Sequence, residues 1–151
     1  MAVDRLTIYL DAKTLAETNR KLRRLSNIER EAVVAQAVKE GAQIISRQTR
    51  KNVATLLKKR TGNLYRSVSV LTRKKIGVAY AGFKRGKGGG SHAIFFEHGT
   101  KDRYTKAGAY RGKVKAYELQ KRSVDKKADK VLQTMLGSIE KSINRIINRD
   151  N

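Results

Sequence analysis

"VDKKADKVLQTMLGSIEKSINRIINR", residues 124–149, decides the fold. Val124, Ala128, Val131, Met135, Ile139, Ile143 and Ile146 succeed one another at steps of 4, 3, 4, 4, 4 and 3. That period returns a side chain to one face of an α-helix. Leu132, Leu136 and Ile147 widen the apolar stripe. A long helix with one apolar face needs a cover, and residues 28–57 offer a second helix. In "IEREAVVAQAVKEGAQIISRQTRKNVATLL", Val34, Val38, Ala42 and Ile45 recur on one side, with Ile28 and Ala35 nearby. Asn27 is placed to cap this helix, and Glu29 and Glu31 suit its positive end. Gly41 lies inside it, where glycine costs up to ~1 kcal/mol relative to alanine. That cost predicts close packing against another element.

Shorter elements complete the pattern. Asp11 stands as an N-cap before a short amphipathic helix over residues 12–25, with Leu15, Leu22 and Leu25 at nearly helical spacing. Three stretches alternate with period 2 instead: Leu6, Ile8 and Leu10; Val68 and Val70; and Ile76, Val78, Tyr80 and Gly82. The last two predict a hairpin turning at Lys74–Lys75, preceded by one helical turn capped by Thr61 over Leu64 and Tyr65. With residues 5–10 they make a small antiparallel sheet. The expected architecture is α+β, a single domain over residues 1–151. The sheet packs against the long helix of the N-terminal half and the long C-terminal helix. Two extended, flexible basic loops interrupt it. One is "KRGKGGGS", residues 84–91, with Lys84, Arg85 and Lys87; the other spans residues 101–115, with Lys101, Arg103, Lys106, Arg111 and Lys113.

The charge narrows the partners. Thirty-five Lys and Arg stand against 13 acids, a net +22, and residues 58–130 hold +16 of it. This exceeds what solubility needs and costs self-repulsion, so it points to a polyanion. A solvated basic surface and an acidic partner protein are the competing readings. There is no cysteine, hence no disulfide and no thiolate chemistry. No window approaches ~18 consecutive apolar residues, and Asp4 and Asp11 interrupt the N-terminus. We therefore expect a soluble chain made in the cytoplasm, with no membrane partner.

Catalytic groups are scarce. His92 and His98 stand six apart, which fits neither a helical zinc pair nor a zinc finger. Glu97 beside His98 offers an acid or base, but no nucleophile motif accompanies it. No catalytic residue, metal or cofactor is assigned, and Glu97 is expected to pair with a cation or cap backbone. "GKGGGS" lacks the order of a phosphate-binding P-loop, though its cations and amides suit sequence-independent phosphate contact. The strand aromatics, Tyr80 and Phe83, do not form an RNA-binding platform. The adjacent Ile94, Phe95 and Phe96 point to packing, within the chain or against a neighbour.

The order of these motifs resembles the small neck or tail-completion proteins of tailed bacteriophages. The resemblance runs over roughly residues 28–148. It is carried by Gly41, Ala42 and Ile45; by Thr61, Gly62, Leu64 and Ser67; and by Phe95, Phe96, Glu97, Gly99 and Thr100. Where such proteins carry proline and phenylalanine after the "E.GT" segment, this chain has "KDRYTKAGAYRGKVKAYELQ" and no proline. The resemblance implies a non-enzymatic structural protein of the virion. It implies a homo-oligomeric ring, six-fold in the family, at the head–tail junction, with genomic DNA passing through. Its neighbours would be connector or head-closure proteins and tail-terminator or tail-tube proteins. Ile94, Phe95, Phe96, Glu97, Gly99 and Thr100 would then anchor packing or an interface. Lys84, Arg85, Lys87, Lys101, Arg103, Lys106, Arg111 and Lys113 would face DNA or the adjacent ring. Two rivals stand beside this reading: a free, sequence-independent nucleic-acid-binding protein, and a nuclease using Glu97 and His98.

Overall fold

The computed structural model describes residues 12–23, 25–58, 61–86 and 90–149. Its elements are α1 (Ala12–Leu22), α2 (Asn27–Leu56), α3 (Asn63–Ser67), β1 (Val68–Arg73), β2 (Val78–Phe83), α4 (Ala93–His98) and α5 (Leu119–Arg149). Short 3₁₀ turns cover Lys74–Ile76 and Gly90–His92. The fold is α+β, with a two-stranded antiparallel sheet and two helices of 30 and 31 residues. At 1.5 Å per residue each helix runs about 45 Å. The expected strand over residues 5–10 and the Asp11 cap lie outside the described residues. Among the described residues no helix is long and apolar enough to cross a membrane.

The chain divides into two compact units. One comprises Met1–Gly41, Thr72–Ala79 and Ala128–Asn151; the other comprises Ala42–Leu71 and Tyr80–Lys127. In the first unit Leu25, Val33 and Ile143 are buried together, with Leu22, Ile139 and Ile146 packed against them. Its entry is set by a reciprocal cap. The Ser26 N–H and Oγ–H donate to Glu29 Oε2 at 3.0 and 2.7 Å, and the Glu29 N–H returns to Ser26 Oγ at 3.4 Å. This is the S-x-x-E capping box, so Ser26 rather than Asn27 caps α2. Gly41 is explained by its neighbours: a Cβ there would lie 3.0 Å from the Met135 side chain and 3.1 Å from Val131 Cγ1. The helix gives up a residue of good propensity so that the stripe of α5 can approach.

In the second unit the core is Val53, Val68 and Leu119, with Leu57, Leu64, Phe83, Phe96 and Tyr117 against it. A polar seam runs beside it. The Thr49 hydroxyl lies 3.0 Å from both Ile45 O and Ser123 Oγ. Asn52 Nδ2 donates to Leu119 O at 2.9 Å and to Ser123 Oγ at 2.8 Å, and the Ser123 hydroxyl donates to Leu119 O at 2.6 Å. Thr49 and Ser123 are fully buried, and among the described residues no buried side-chain polar atom lacks a partner. Satisfied groups of this kind avoid the desolvation penalty of an unpaired one and fix the helix register. Arg50 Nη2 donates to Val68 O at 2.7 Å and Gln120 Nε2 to Ala81 O at 2.7 Å, tying α2 to β1 and α5 to β2.

The hairpin departs from expectation at its turn. Ile76 belongs to the 3₁₀ segment rather than to a strand, and it is exposed. Gly77, at φ 60, closes the turn with its N–H on Lys74 O at 3.1 Å. Thr61 accepts the Asn63 N–H at 3.4 Å, while Gly62 occupies the N-cap of α3.

Candidate functional site

The segment around the paired phenylalanines folds as a helix, α4, which its composition did not announce. One turn and a half separates three neighbours into different surroundings. Phe96 turns into the core cluster and meets Tyr117 with ring centroids 6.3 Å apart. Ile94 and Phe95 lie on the surface, 53% and 46% exposed. Within the chain, then, Phe96 packs against the core and Phe95 does not. Phe95 instead meets the exposed His92, at 6.3 Å between ring centroids.

Of the two roles expected of Glu97, the structure shows backbone capping. Its carboxylate receives the Gln120 N–H on both oxygens, at 3.0 and 3.2 Å, and the Lys121 N–H at 3.0 Å. These are first-turn amides of α5, which have no partner inside their own helix. A carboxylate there also meets the positive end of the helix dipole. The exchange is mutual. The Tyr117 and Glu118 N–H groups donate to Phe96 O (2.7 Å) and Glu97 O (3.3 Å), carbonyls at the end of α4. Glu118 adopts φ 51, a left-handed conformation costly for a residue with a side chain.

Gly99 and Thr100 complete the stitch. Gly99 has φ 73 and ψ −175, a region open to glycine alone. A Cβ there would sit 2.9 Å from Val114 O and 3.0 Å from Ala116 N. The Thr100 N–H donates to Val114 O, and Thr100 Oγ1 accepts the Val114 N–H, both at 2.9 Å. The stretch "FFEHGT" is therefore a junction: Phe96 fills the core, Glu97 caps α5, Gly99 allows the close approach, and Thr100 closes the base of the segment over residues 101–113.

That segment is a hydrogen-bonded ribbon. Beyond Thr100–Val114, the Arg103 N–H donates to Gly112 O at 3.1 Å, Arg111 N–H to Arg103 O at 2.6 Å, and Thr105 N–H to Ala109 O at 2.8 Å. Tyr104 and Tyr110 bridge the two legs, and their rings meet at 5.4 Å. Both are 61% exposed. The Tyr110 hydroxyl donates to Asp102 Oδ1 at 3.0 Å. The Arg103 guanidinium lies across the ribbon on Gly112 O and Arg111 O at 3.3 and 3.4 Å. Lys101, Arg103, Lys106, Arg111 and Lys113 are all exposed.

The other basic stretch is pinched at its ends. The Lys84 N–H donates to Ser67 O at 2.8 Å, and Gly90 is buried so close to the Lys84 carbonyl that a Cβ would collide with it. Lys84 and Arg85 are exposed, and Lys87 lies outside the described residues. An open apolar groove of about 1500 Å³ in the same unit is lined by Val53, Leu57, Leu64, Phe96 and Tyr117, with His92 also on its wall. Among the described residues no group of three or more His, Cys, Asp or Glu is placed to hold a metal ion.

Sequence reasoning offered backbone capping as one role for Glu97 but could not name α5 as what it caps, since the partners stand 23 and 24 positions away, beyond any local signal.

With the geometry in view, comparison with known proteins gives one finding. A family model described as "Bacteriophage HK97-gp10, putative tail-component" matches residues 16–99, more than half of the chain. The match ends at Gly99, so the ribbon and α5 lie beyond it. No curated protein and no solved structure matches the chain.

Proposed function

The chain belongs to the HK97-gp10-like family of bacteriophage tail components, a structural part of the virion, and on that premise we propose that it closes into a homo-oligomeric ring at the head–tail junction, through which genomic DNA passes. The observation that carries this reading is the exposure of Ile94 and Phe95 on α4, beside the half-buried Phe96 that packs against the core. Copies of a +22 chain repel one another. An assembly of such copies needs an uncharged contact, and an exposed pair of large apolar side chains marks one. A contact of one surface with a different surface of the next copy, repeated until it closes, gives a ring. Six copies are the family's suggestion. The ring's neighbours are a connector or head-closure protein on one side and a tail-terminator or tail-tube protein on the other.

The role is structural rather than enzymatic. Both oxygens of Glu97, the acid a nuclease reading needs, are occupied by backbone amides of α5. The surplus cations supply a sequence-independent, salt-sensitive attraction that holds a duplex without reading it.

Phage production without this protein tests the reading. We expect filled heads and complete tails to accumulate unjoined, and added purified protein to restore joined particles. Normal joined particles in its absence would overturn the proposal.

A further inference from the structure

The apolar groove of the second unit carries one sign of charge. Lys58 and His92 line it, and no acid does. Leu56, Leu57 and Tyr65 give it an apolar wall, of which Leu56 is 36% and Tyr65 44% exposed. His92 also meets Phe95, so the groove is continuous with the exposed Ile94–Phe95 surface. An apolar side chain that fills such a wall releases the water held against it. A fitting occupant therefore brings an apolar tip with a carboxylate beside it.

The chain itself offers such a tip. Ile28, in the first turn of α2, is 82% exposed, the most of any large apolar residue among those described. Glu31 and Ala32 follow at i+3 and i+4, both exposed, and share its face of the helix. Arg30, the nearest cation, is turned back onto the chain: its guanidinium donates to Leu22 O and Leu25 O at 3.2 and 3.3 Å. The Ser26–Glu29 capping box holds the turn in shape. The exposed Leu71, Ile76 and Ile147, by contrast, each stand within two residues of a lysine or arginine and of no acid.

We propose that the start of α2 of one copy seats in this groove of the next copy, with Ile28 against the apolar wall and Glu31 meeting Lys58. A second copy is the occupant because both halves of the fit, apolar tip with acid and apolar wall with cation, stand on this one chain. Groove against groove would instead set Lys58 against Lys58 and leave two hollows facing. This contact lets copies of a +22 chain meet where their charges are opposite. The inference rests on the ring reading above and goes beyond it, since it names the two unlike surfaces that a closed head-to-tail ring requires.

The chain has no cysteine, so engineered thiols report this contact alone. Phage are assembled with variants of the full chain, and the joined particles are oxidised and resolved by non-reducing electrophoresis. Ile28→Cys/Tyr65→Cys should give a ladder that runs beyond the dimer. Particles holding a mixture of Ile28→Cys chains and Tyr65→Cys chains should stop at the dimer, and either single variant alone should stay monomeric. A second measurement uses charge. Glu31→Lys should lower the yield of joined particles about 10-fold, since like charges facing each other across a contact cost at least that much in affinity, and Glu31→Lys/Lys58→Glu should restore it. Joined particles in which the double-cysteine chain and the mixture yield only monomer would overturn the contact. So would a dimer from either single variant alone, a bridge from Tyr65→Cys to another virion protein, or a charge swap that fails to restore joining. These outcomes leave the ring standing, which fails instead if heads and tails join normally without the protein.

Discussion

Glu97→Ala isolates the stitch between α4 and α5. The side chain is partly buried and accepts two backbone N–H groups of the first turn of α5 through three contacts of 3.0–3.2 Å. Losing a helix cap costs about 1 kcal/mol. Losing the negative charge at a helix N-terminus adds roughly 0.3–1 kcal/mol. Water reaches the exposed Lys121 side but replaces the carboxylate imperfectly, so the total is about 1.3–2 kcal/mol. Glu97→Gln keeps an acceptor and loses the charge, and should cost only about 0.5–1 kcal/mol. With a urea m-value of about 2 kcal/mol/M, the alanine variant's midpoint falls by about 0.7–1 M and the glutamine variant's by roughly half of that. Equilibrium urea unfolding monitored by circular dichroism measures both. An alanine variant as stable as the parent would refute the capping account. So would DNA cleavage with magnesium or manganese that disappears in Glu97→Ala, because the carboxylate would then be chemical rather than structural.

The structure also sets the outcome of four other variants. Gly99→Ala forces a Cβ toward Val114 O and Ala116 N at a backbone conformation reserved for glycine; thermal and urea unfolding should show a loss of about 2–4 kcal/mol, given that such strain alone costs roughly 1–3. Phe96→Ala should destabilise by about 2–3 kcal/mol, at or below the low end for a buried phenylalanine because the ring is half-buried. Phe95→Ala should leave the unfolding midpoint of the single chain within experimental error and instead reduce oligomer mass in light scattering. Lys84→Ala/Arg85→Ala/Lys87→Ala should keep the circular dichroism spectrum of the parent while weakening DNA retention in a salt-titrated gel shift.

How much of this was legible without coordinates depends on the range of the signal. The long helices were read from spacing alone, because α2 and α5 each bury a stripe and a stripe is a local pattern. Gly41 announced a close approach, and Val131 and Met135 supply it. Caps proved harder. Ser26 was passed over for Asn27, although Glu29 three residues on completes the capping box. The buried polar seam was invisible because Thr49, Asn52 and Ser123 fall outside an apolar count and acquire partners only across 67 to 74 positions of sequence. The phenylalanine pair could not be resolved for a related reason. Two adjacent apolar residues look alike in sequence, yet on a helix of six residues they point about 100° apart, so Phe96 packs against the core while Phe95 stays on the surface. The ribbon read as a loop because its strands are short, glycine-bearing and stabilised by Arg103 and Thr105 side chains rather than by apolar alternation.

The most direct measurement is a reconstruction of the intact phage particle around the junction of capsid and tail. The account predicts a closed collar of copies of this chain encircling the DNA, with α4 surfaces between neighbours. Copies standing singly, or a collar built of other chains with this one elsewhere in the particle, would contradict it.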